Sequence, residues 1–215
     1  MARGIFITLE GGDGAGKTTQ AQLLAARLEG FGREVLMLHE PGGTRMGAAV
    51  RQILLGGGED LDPTAELLLF EAARAQLVSK VIQPALLAEK VVICDRFTDS
   101  TVAYQGYGRG LDLARIEQLN QWATAGLLPD RTVLLDLDVK EGLERARALN
   151  GGGGDRMEQE ELSFHDAVHR GFARQAAAHP QRIRVVPQMP TPGMTGQAVF
   201  DAVADLFAGD GQEAR

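Results

Sequence analysis

The sequence predicts an α/β protein, a parallel β-sheet with helices packed against it. Two observations carry this. Apolar runs alternate with helical patterns along the whole chain, the signature of βαβ units. The first unit also holds Gly11-Gly12-Asp13-Gly14-Ala15-Gly16-Lys17-Thr18, which fits G-x-x-x-x-G-K-[ST] between a strand and a helix. A length of 215 residues with 44% hydrophobic content suits a single domain over 1–215.

Strand one is Ile5-Phe6-Ile7-Thr8-Leu9, near 4–9, and its helix lies near 16–30, with Ala21, Leu24, Ala25 and Leu28 at helical spacing. Gly30 and Gly32 stop it. Glu34 to Leu38 is strand two, and His39-Glu40-Pro41-Gly42-Gly43 is a loop. Thr44 can cap a helix carrying Val50, Ile53, Leu54 and Leu55, which Gly56-Gly57-Gly58 breaks. Pro63 opens a long helix through Val81 that Pro84 should kink or end. Val91 to Cys94 is strand three and delivers Asp95-Arg96 at its carboxyl end, where ligands of open α/β sheets bind. A short polar helix holds Ser100, Thr101, Tyr104 and Gln105, and Gly106, Gly108 and Gly110 predict a loop after it. A helix at 112–125 precedes strand four, Val133 to Leu137, and a helix at 139–149. Gly151 to Gly154 reads as a hinge or flap, since a glycine run is unfavourable inside a helix. A helix at 158–178, strand five at Ile183 to Val186, a loop at 187–196, a helix at 196–207 and a frayed tail at 209–215 complete the chain.

A net charge of −7 and a pI near 5.2 argue against non-specific binding to nucleic acid or anionic membranes. No apolar run approaches the length of a membrane span, and no signal peptide is visible. Cys94 is the lone cysteine, so no intrachain disulfide forms, which fits the cytoplasm; its place in an apolar run reads as core. His165 and His169 lie four apart and predict a shared, solvated helix face rather than a metal site.

The glycine loop supplies inward-turning N–H groups for an anion, Lys17 a positive charge for phosphates, and Thr18 a hydroxyl for Mg²⁺. Several phosphate-loop classes remain open on that motif alone. GTPases of the usual kind are excluded, since no N-K-x-D motif occurs; a partition-type ATPase would carry lysine where Glu10 stands. Arg45, Arg51, Arg74 and Arg96 suit a second phosphate, although any one of them also fits a solvated surface. Asp95 ends an apolar strand, where a carboxylate is costly unless solvated, paired or beside a metal. Phe70 and Arg74 share a helix face and could stack a base and bond its edge; Phe70 in the core and Arg74 paired with Glu71 is the alternative. Ser100–Tyr104 and Thr101–Gln105 are two further i, i+4 pairs, suited to a nucleoside-reading wall or to a capped surface helix.

Together these residues resemble the thymidylate kinase family. The likeness runs from the phosphate loop through Glu40-Pro41-Gly42-Gly43-Thr44, Phe70-Glu71-Ala72-Ala73-Arg74, Asp95-Arg96-Phe97 and Ala103-Tyr104-Gln105-Gly106 to Asp155-Arg156-Met157-Glu158. It implies a three-layer P-loop kinase fold with a five-stranded parallel sheet, a short mobile lid near 145–158, and a cytoplasmic homodimer. It also implies transfer of the ATP γ-phosphoryl group to dTMP with Mg²⁺. ATP would lie on Gly11, Gly12, Asp13, Gly14, Ala15, Gly16, Lys17, Thr18 and Thr19, with Thr18 and Asp95 at the metal. Asp13 would hold the dTMP 3′-hydroxyl, and Arg51 and Arg96 its phosphate. Phe70 would stack on thymine, Arg74 would donate to its O4, and Thr101, Ser100 and Gln105 would face the pyrimidine edge. Tyr104 would disfavour a ribose hydroxyl, a role that needs its ring and not its own hydroxyl. Some members carry an arginine within the phosphate loop, where this chain has Gly14; the cation then comes from the lid. Arg145-Ala146-Arg147-Ala148-Leu149-Asn150 lacks the third arginine of the family's lid pattern, which leaves Arg147 and Arg156 favoured over Arg145.

Overall fold

A computed structural model of the chain describes residues 4–56, 61–149 and 154–208. Five strands form one all-parallel sheet in the order β2-β3-β1-β4-β5, as expected. They are β1 Phe6–Glu10, β2 Val35–His39, β3 Val91–Asp95, β4 Arg131–Asp136 and β5 Ile183–Pro187. Successive side chains of β1 and β3 enter different cores, because helices cover both faces. Ile7, Leu9, Val91 and Ile93 pack under α1 (Lys17–Gly30) and α9 (Pro192–Asp201). Phe6, Val92 and Cys94 pack with Leu77, Val78, Ile82 and Phe97 on the other face. Cys94 is fully buried there, as its apolar run predicts.

Register sets the site. Leu9 lies opposite Asp95 and Val133, and His39 opposite Asp95. The carboxyl ends of the three adjacent strands β2, β3 and β1 therefore finish at one edge, and the loops leaving them face a common cleft.

The helices are α2 Arg45–Leu55, α3 Pro63–Leu77, α4 Gln83–Leu87, α5 Thr98–Thr101, α6 Leu113–Thr124, α7 Val139–Leu149 and α8 Leu162–Ala178, with α1 and α9 above. Thr44 caps α2 through Gly47 N–H at 2.9 Å, and Asp62 caps α3 ahead of Pro63.

Several expected boundaries move; strand four runs Arg131–Asp136, and the last helix ends at Asp201 ahead of a separate 3₁₀ turn at Ala204–Phe207. Pro84 does not end the long helix. A π turn at Val78–Ile82, in which Gln83 N–H bonds Val78 O, makes room for the proline ring, and α4 continues to Leu87. Gly106 and Gly108 are not loop either, since α5 runs on as a π-helical stretch, Val102–Gly108. A Cβ on Gly106 would stand 2.5 Å from Leu113 Cδ2, and one on Gly108 2.5 Å from the Phe164 ring. These glycines permit close packing of neighbouring helices rather than breaking one. The helix expected from Glu158 begins at Leu162, because Asp155 accepts from Met157 N–H and Glu158 N–H in a side-chain turn. The helix expected from 196 begins at Pro192, where Thr191 accepts from Met194 N–H and Pro192 takes the first helical position. The expected break at Gly57-Gly58, most of the flap (Asn150 to Gly153) and the tail at 209–215 lie outside the described residues.

Candidate active site

The cleft at the strand ends is a cavity of about 630 Å³. One wall is the glycine loop: Asp13, Gly14, Gly16, Lys17, Thr18 and Thr19 line it. Gly11, Gly12 and Ala15 complete the turn behind them, and Gly16, in the left-handed conformation, caps α1. Lys17 Nζ donates to Gly11 O at 3.1 Å and Gly12 O at 2.7 Å. Burial, then the nearby Arg96 guanidinium, pushes its pKa down to about 8. Thr18 Oγ1 donates to Asp95 Oδ2 at 2.6 Å, so the two expected metal ligands stand side by side. Hard oxygen donors of this kind suit Mg²⁺.

Gly14 has a steric explanation. Its φ is +71°, and a Cβ there would stand 2.0 Å from Gly142 O. The contact is reciprocal, since a Cβ on Gly142 would meet Asp13 O at 2.5 Å. Helix α7 is thus seated on the loop backbone, and no loop arginine can be accommodated without moving it.

Arg96 is the centre of the second wall. It is a non-glycine residue at φ +70°, a sparsely populated conformation that persists where its surroundings hold it. Its guanidinium donates to Asp13 Oδ1 at 2.6 Å, Tyr104 Oη at 3.0 Å, Ser100 Oγ at 3.0 Å and Gly11 O at 3.1 Å. Tyr104 Oη in turn donates to Asp13 Oδ2 at 3.0 Å. Burial pushes the Asp13 carboxyl upward, but Arg96, Lys17 and the Tyr104 hydroxyl outweigh it and hold the pKa below the ordinary value. Arg51 Nη1 donates to Pro41 O at 3.2 Å and also lines the cavity; Arg45 is exposed on α2 and lies outside it.

Phe70 and Arg74 reach the cavity from α3. Phe70 is half-buried against Val50, Leu54 and Ala73, so it is both core and wall. Arg74 is 1% exposed, not a surface residue, and its five N–H groups all have acceptors. Nε bonds Glu40 Oε2 at 2.8 Å; Nη1 bonds Glu71 Oε1 at 3.0 Å and Asn120 Oδ1 at 2.8 Å; Nη2 bonds Phe97 O at 3.2 Å and Thr101 Oγ1 at 2.9 Å. The expected donation to a base carbonyl therefore finds no spare N–H here. Thr101 accepts from Arg74 and keeps its own hydroxyl proton to give. Burial lifts Glu40 to about 7 against the pull of Arg74.

Gln105 lines the cavity and donates to Glu66 Oε1 at 2.7 Å. Glu66 is fully buried and also receives Arg109 and Arg156. Arg156 Nε bonds Leu54 O at 3.0 Å. Arg156 is thus tied to α2 and α3, while Arg145 pairs with Glu141 on α7 and Arg147 is exposed. Among the described residues lining the cavity, Leu149, Asp155, Met157 and Glu158 represent the expected lid; Arg145, Arg147 and Arg156 do not line it.

His165 is not on a solvated face. It is 5% exposed, with Nδ1 3.9 Å from Asp13 Oδ2, and it turns inward because α8 packs against the π-helical stretch. Burial first, then Arg147, lowers its pKa. His169 pairs instead with Asp136 at 2.9 Å.

Among the buried acids and amides around the cleft, Glu10, Glu40, Glu66 and Asn120 were not read as site residues from sequence. For two of them a signal existed. Glu10 ends an apolar strand, as Asp95 does, and Glu66 lies one turn before Phe70 on the same helix face.

A thymidylate kinase family model matches residues 9–191. The thymidylate kinase of Synechococcus sp. (strain JA-2-3B'a(2-13)) is 53% identical over 93% of this chain and 94% of its own length. That of Gloeobacter violaceus is 50% identical over 97% and 98%. The crystal structure of thymidylate kinase from Ehrlichia chaffeensis superposes with a TM-score of 0.78 at 36% identity, covering 93% of this chain and 98% of that one. With the phosphate loop, the Asp95-Arg96 turn and the α3 wall assembled in one cleft, and relatives of this likeness along nearly its full length, the chain belongs to the thymidylate kinase family.

Proposed function

We propose that the chain transfers the γ-phosphoryl group of ATP to dTMP, giving ADP and dTDP. The observation that carries this is the meeting, in one cavity, of an ATP-type phosphate loop with the Arg96 side chain and the Phe70–Thr101 wall. Phosphoryl transfer asks mainly for positioning and charge stabilisation. The loop N–H groups and Lys17 hold the ATP phosphates, Lys17 turning from the Gly11 and Gly12 carbonyls to do so. Thr18 and Asp95 would hold Mg²⁺, which when bound would supply positive charge to offset that of the phosphates. Arg96 and Arg51 meet the acceptor phosphate. The acceptor oxygen is already ionised near neutral pH, so no general base is assigned.

Phe70 stacks on thymine. The Thr101 hydroxyl, oriented by Arg74, gives the base-edge hydrogen bond, so Arg74 acts through its neighbour. Asp13 takes the sugar 3′-hydroxyl, and the Tyr104 ring stands against C2′, with Ser100 and Gln105 completing that wall. Arg147 is the lid cation, and Arg156 fastens the lid flank to Glu66.

The working form is a homodimer. Ile53, Leu68, Leu113 and Trp122 are exposed on α2, α3 and α6, and α3 packs on both of the others, which supports an interface there. Among the described residues no helix is long and apolar enough to cross a membrane, and a cytoplasmic enzyme fits the single buried thiol. Assay of ATP with dTMP, dUMP, AMP, CMP and thymidine tests the reading. The expected preferred acceptor is dTMP; no transfer to it would overturn the assignment.

A further inference from the structure

We infer that Glu10 is a positioning residue for the acceptor-phosphate arm, holding Arg96 in its left-handed turn from the end of β1. The inference rests on the dTMP kinase reading. Among the described residues only Glu89, Arg96 and Ala125 are non-glycine with positive φ. Glu89 follows α4 and Ala125 follows α6, ordinary places for such a residue at a helix end. Arg96 alone of the three lines the cleft. Something must hold its backbone there.

Two bonds do, and both partners come from the end of β1. Arg96 N–H bonds Leu9 O at 3.0 Å. The next amide, Phe97 N–H, bonds Glu10 Oε1 at 2.7 Å. Phe97 is fully buried, so without Glu10 its N–H has neither water nor this partner. The second carboxylate oxygen acts on the side chain. Ser100 Oγ–H donates to Glu10 Oε2 at 2.6 Å, which turns an oxygen lone pair toward Arg96 Nη1 at 3.0 Å. One fully buried carboxylate thus fixes both the backbone turn and one edge of the guanidinium. The other nitrogen, Nη2, is left facing Asp13 and Tyr104. Glu10 also directly precedes Gly11, so its backbone leads into the donor-phosphate loop while its side-chain bonds go to the acceptor arm. Phosphoryl transfer is sensitive to the relative placement of those two parts, and Glu10 joins them.

What Glu10 provides is reach and acceptor geometry rather than charge at the phosphate. Glutamine keeps the reach, one acceptor for Phe97 N–H and a group to bond Ser100 Oγ. Aspartate keeps the carboxyl group and shortens the reach. The test therefore compares Glu10→Gln, Glu10→Asp and Glu10→Ala, with folding followed by circular dichroism and KM measured separately for dTMP and ATP. Glu10→Gln should stay within about threefold of wild type. Glu10→Asp and Glu10→Ala should raise the KM for dTMP about tenfold, with the KM for ATP within about twofold.

Folded Glu10→Asp with wild-type KM for dTMP would overturn the inference. So would equal rises in both KM values, which is the mark of general loosening. If Glu10→Ala does not fold, the glutamine–aspartate pair decides alone. Wild-type enzyme that fails to phosphorylate dTMP would instead sink the underlying reading.

Discussion

At the scale of single residues, the site is built from arginines whose partners are in place before any phosphate arrives. Arg74 meets five acceptors, and no other side chain offers five donors in one plane. Arg74→Lys keeps the charge but strands part of the Glu40, Glu71 and Asn120 set. It should destabilise the fold by about 2 kcal/mol or more, read by urea denaturation. A change confined to dTMP affinity, with stability intact, would return Arg74 to the role of a direct base contact. Tyr104 is a similar case. The proposed exclusion of ribose needs only its ring, but its hydroxyl joins Asp13 to Arg96. Tyr104→Phe should therefore raise the KM for dTMP severalfold, on the order of 1 kcal/mol for a lost hydrogen bond. An unchanged KM would show that the ring is all that matters. The motif residues, Lys17, Thr18, Asp95 and Arg96, were legible in the sequence because their chemistry is set by local spacing. Glu66, Asn120 and His165 were not, because no motif marks them and only folding brings them to Gln105, Arg74 and Asp13, 39, 46 and 152 residues away.

At the scale of elements, the central strands β1, β3 and β4 were legible because burial on both faces leaves continuous apolar runs, while the partly buried edge strands β2 and β5 still carry the short apolar runs Val35 to Leu38 and Val185-Val186. Helix ends were harder. Pro84 and Gly106 carry breaker chemistry, yet both lie in helical stretches, since a π turn and close helix packing absorb what they lack. The same close packing decides the fate of Gly14. Restoring the loop arginine by Gly14→Arg would drive a Cβ into Gly142 O at 2.0 Å in a left-handed backbone. It should lower both stability and turnover, by about 2 kcal/mol or more in unfolding free energy, with the melting temperature as readout. A gain in turnover at unchanged melting temperature would show that α7 yields easily. The lid follows from this seating. Arg147 rides on α7, while Arg156 is tied to Glu66 and Leu54. Arg147→Ala should reduce single-turnover transfer by about tenfold or more, as lost transition-state charge does. Arg156→Ala should mainly lower stability. The reverse pattern would make Arg156 the travelling cation.

At the scale of the whole molecule, the strand ends gather buried acids as well as cations, and this shapes stability across pH. Glu10 and Glu40 are pushed up to about 8 and about 7 by burial, from an ordinary value of 4.5. Between 4.5 and those values the folded chain binds more protons than the unfolded one, so stability falls as pH rises. The opposing groups act elsewhere. Asp13 is depressed, so its contribution is complete above the ordinary carboxylate range. His165 is depressed from 6.5, and its contribution is complete once the unfolded histidine has lost its proton. Lys17, lowered from 10.5 to about 8, stabilises the fold increasingly as pH rises above that value. The interval from about 6.5 to about 8 therefore belongs to the raised glutamates, Glu10 and Glu40 together with Glu71, which burial also lifts. Urea denaturation of the nucleotide-free protein should show stability falling by about 1–2 kcal/mol across it. Glu40→Gln should flatten the slope by removing one of these groups, whatever it does to absolute stability. A level or rising profile in the wild type would mean that these carboxylates are already ionised at pH 6.5, held so by Arg74 and Arg96. Saturating dTMP gives an independent check on where these acids sit. With its dianionic phosphate beside Arg96, as proposed, dTMP would weaken the pull of that cation on Glu10, so the falling limb should extend to higher pH with dTMP bound than without it.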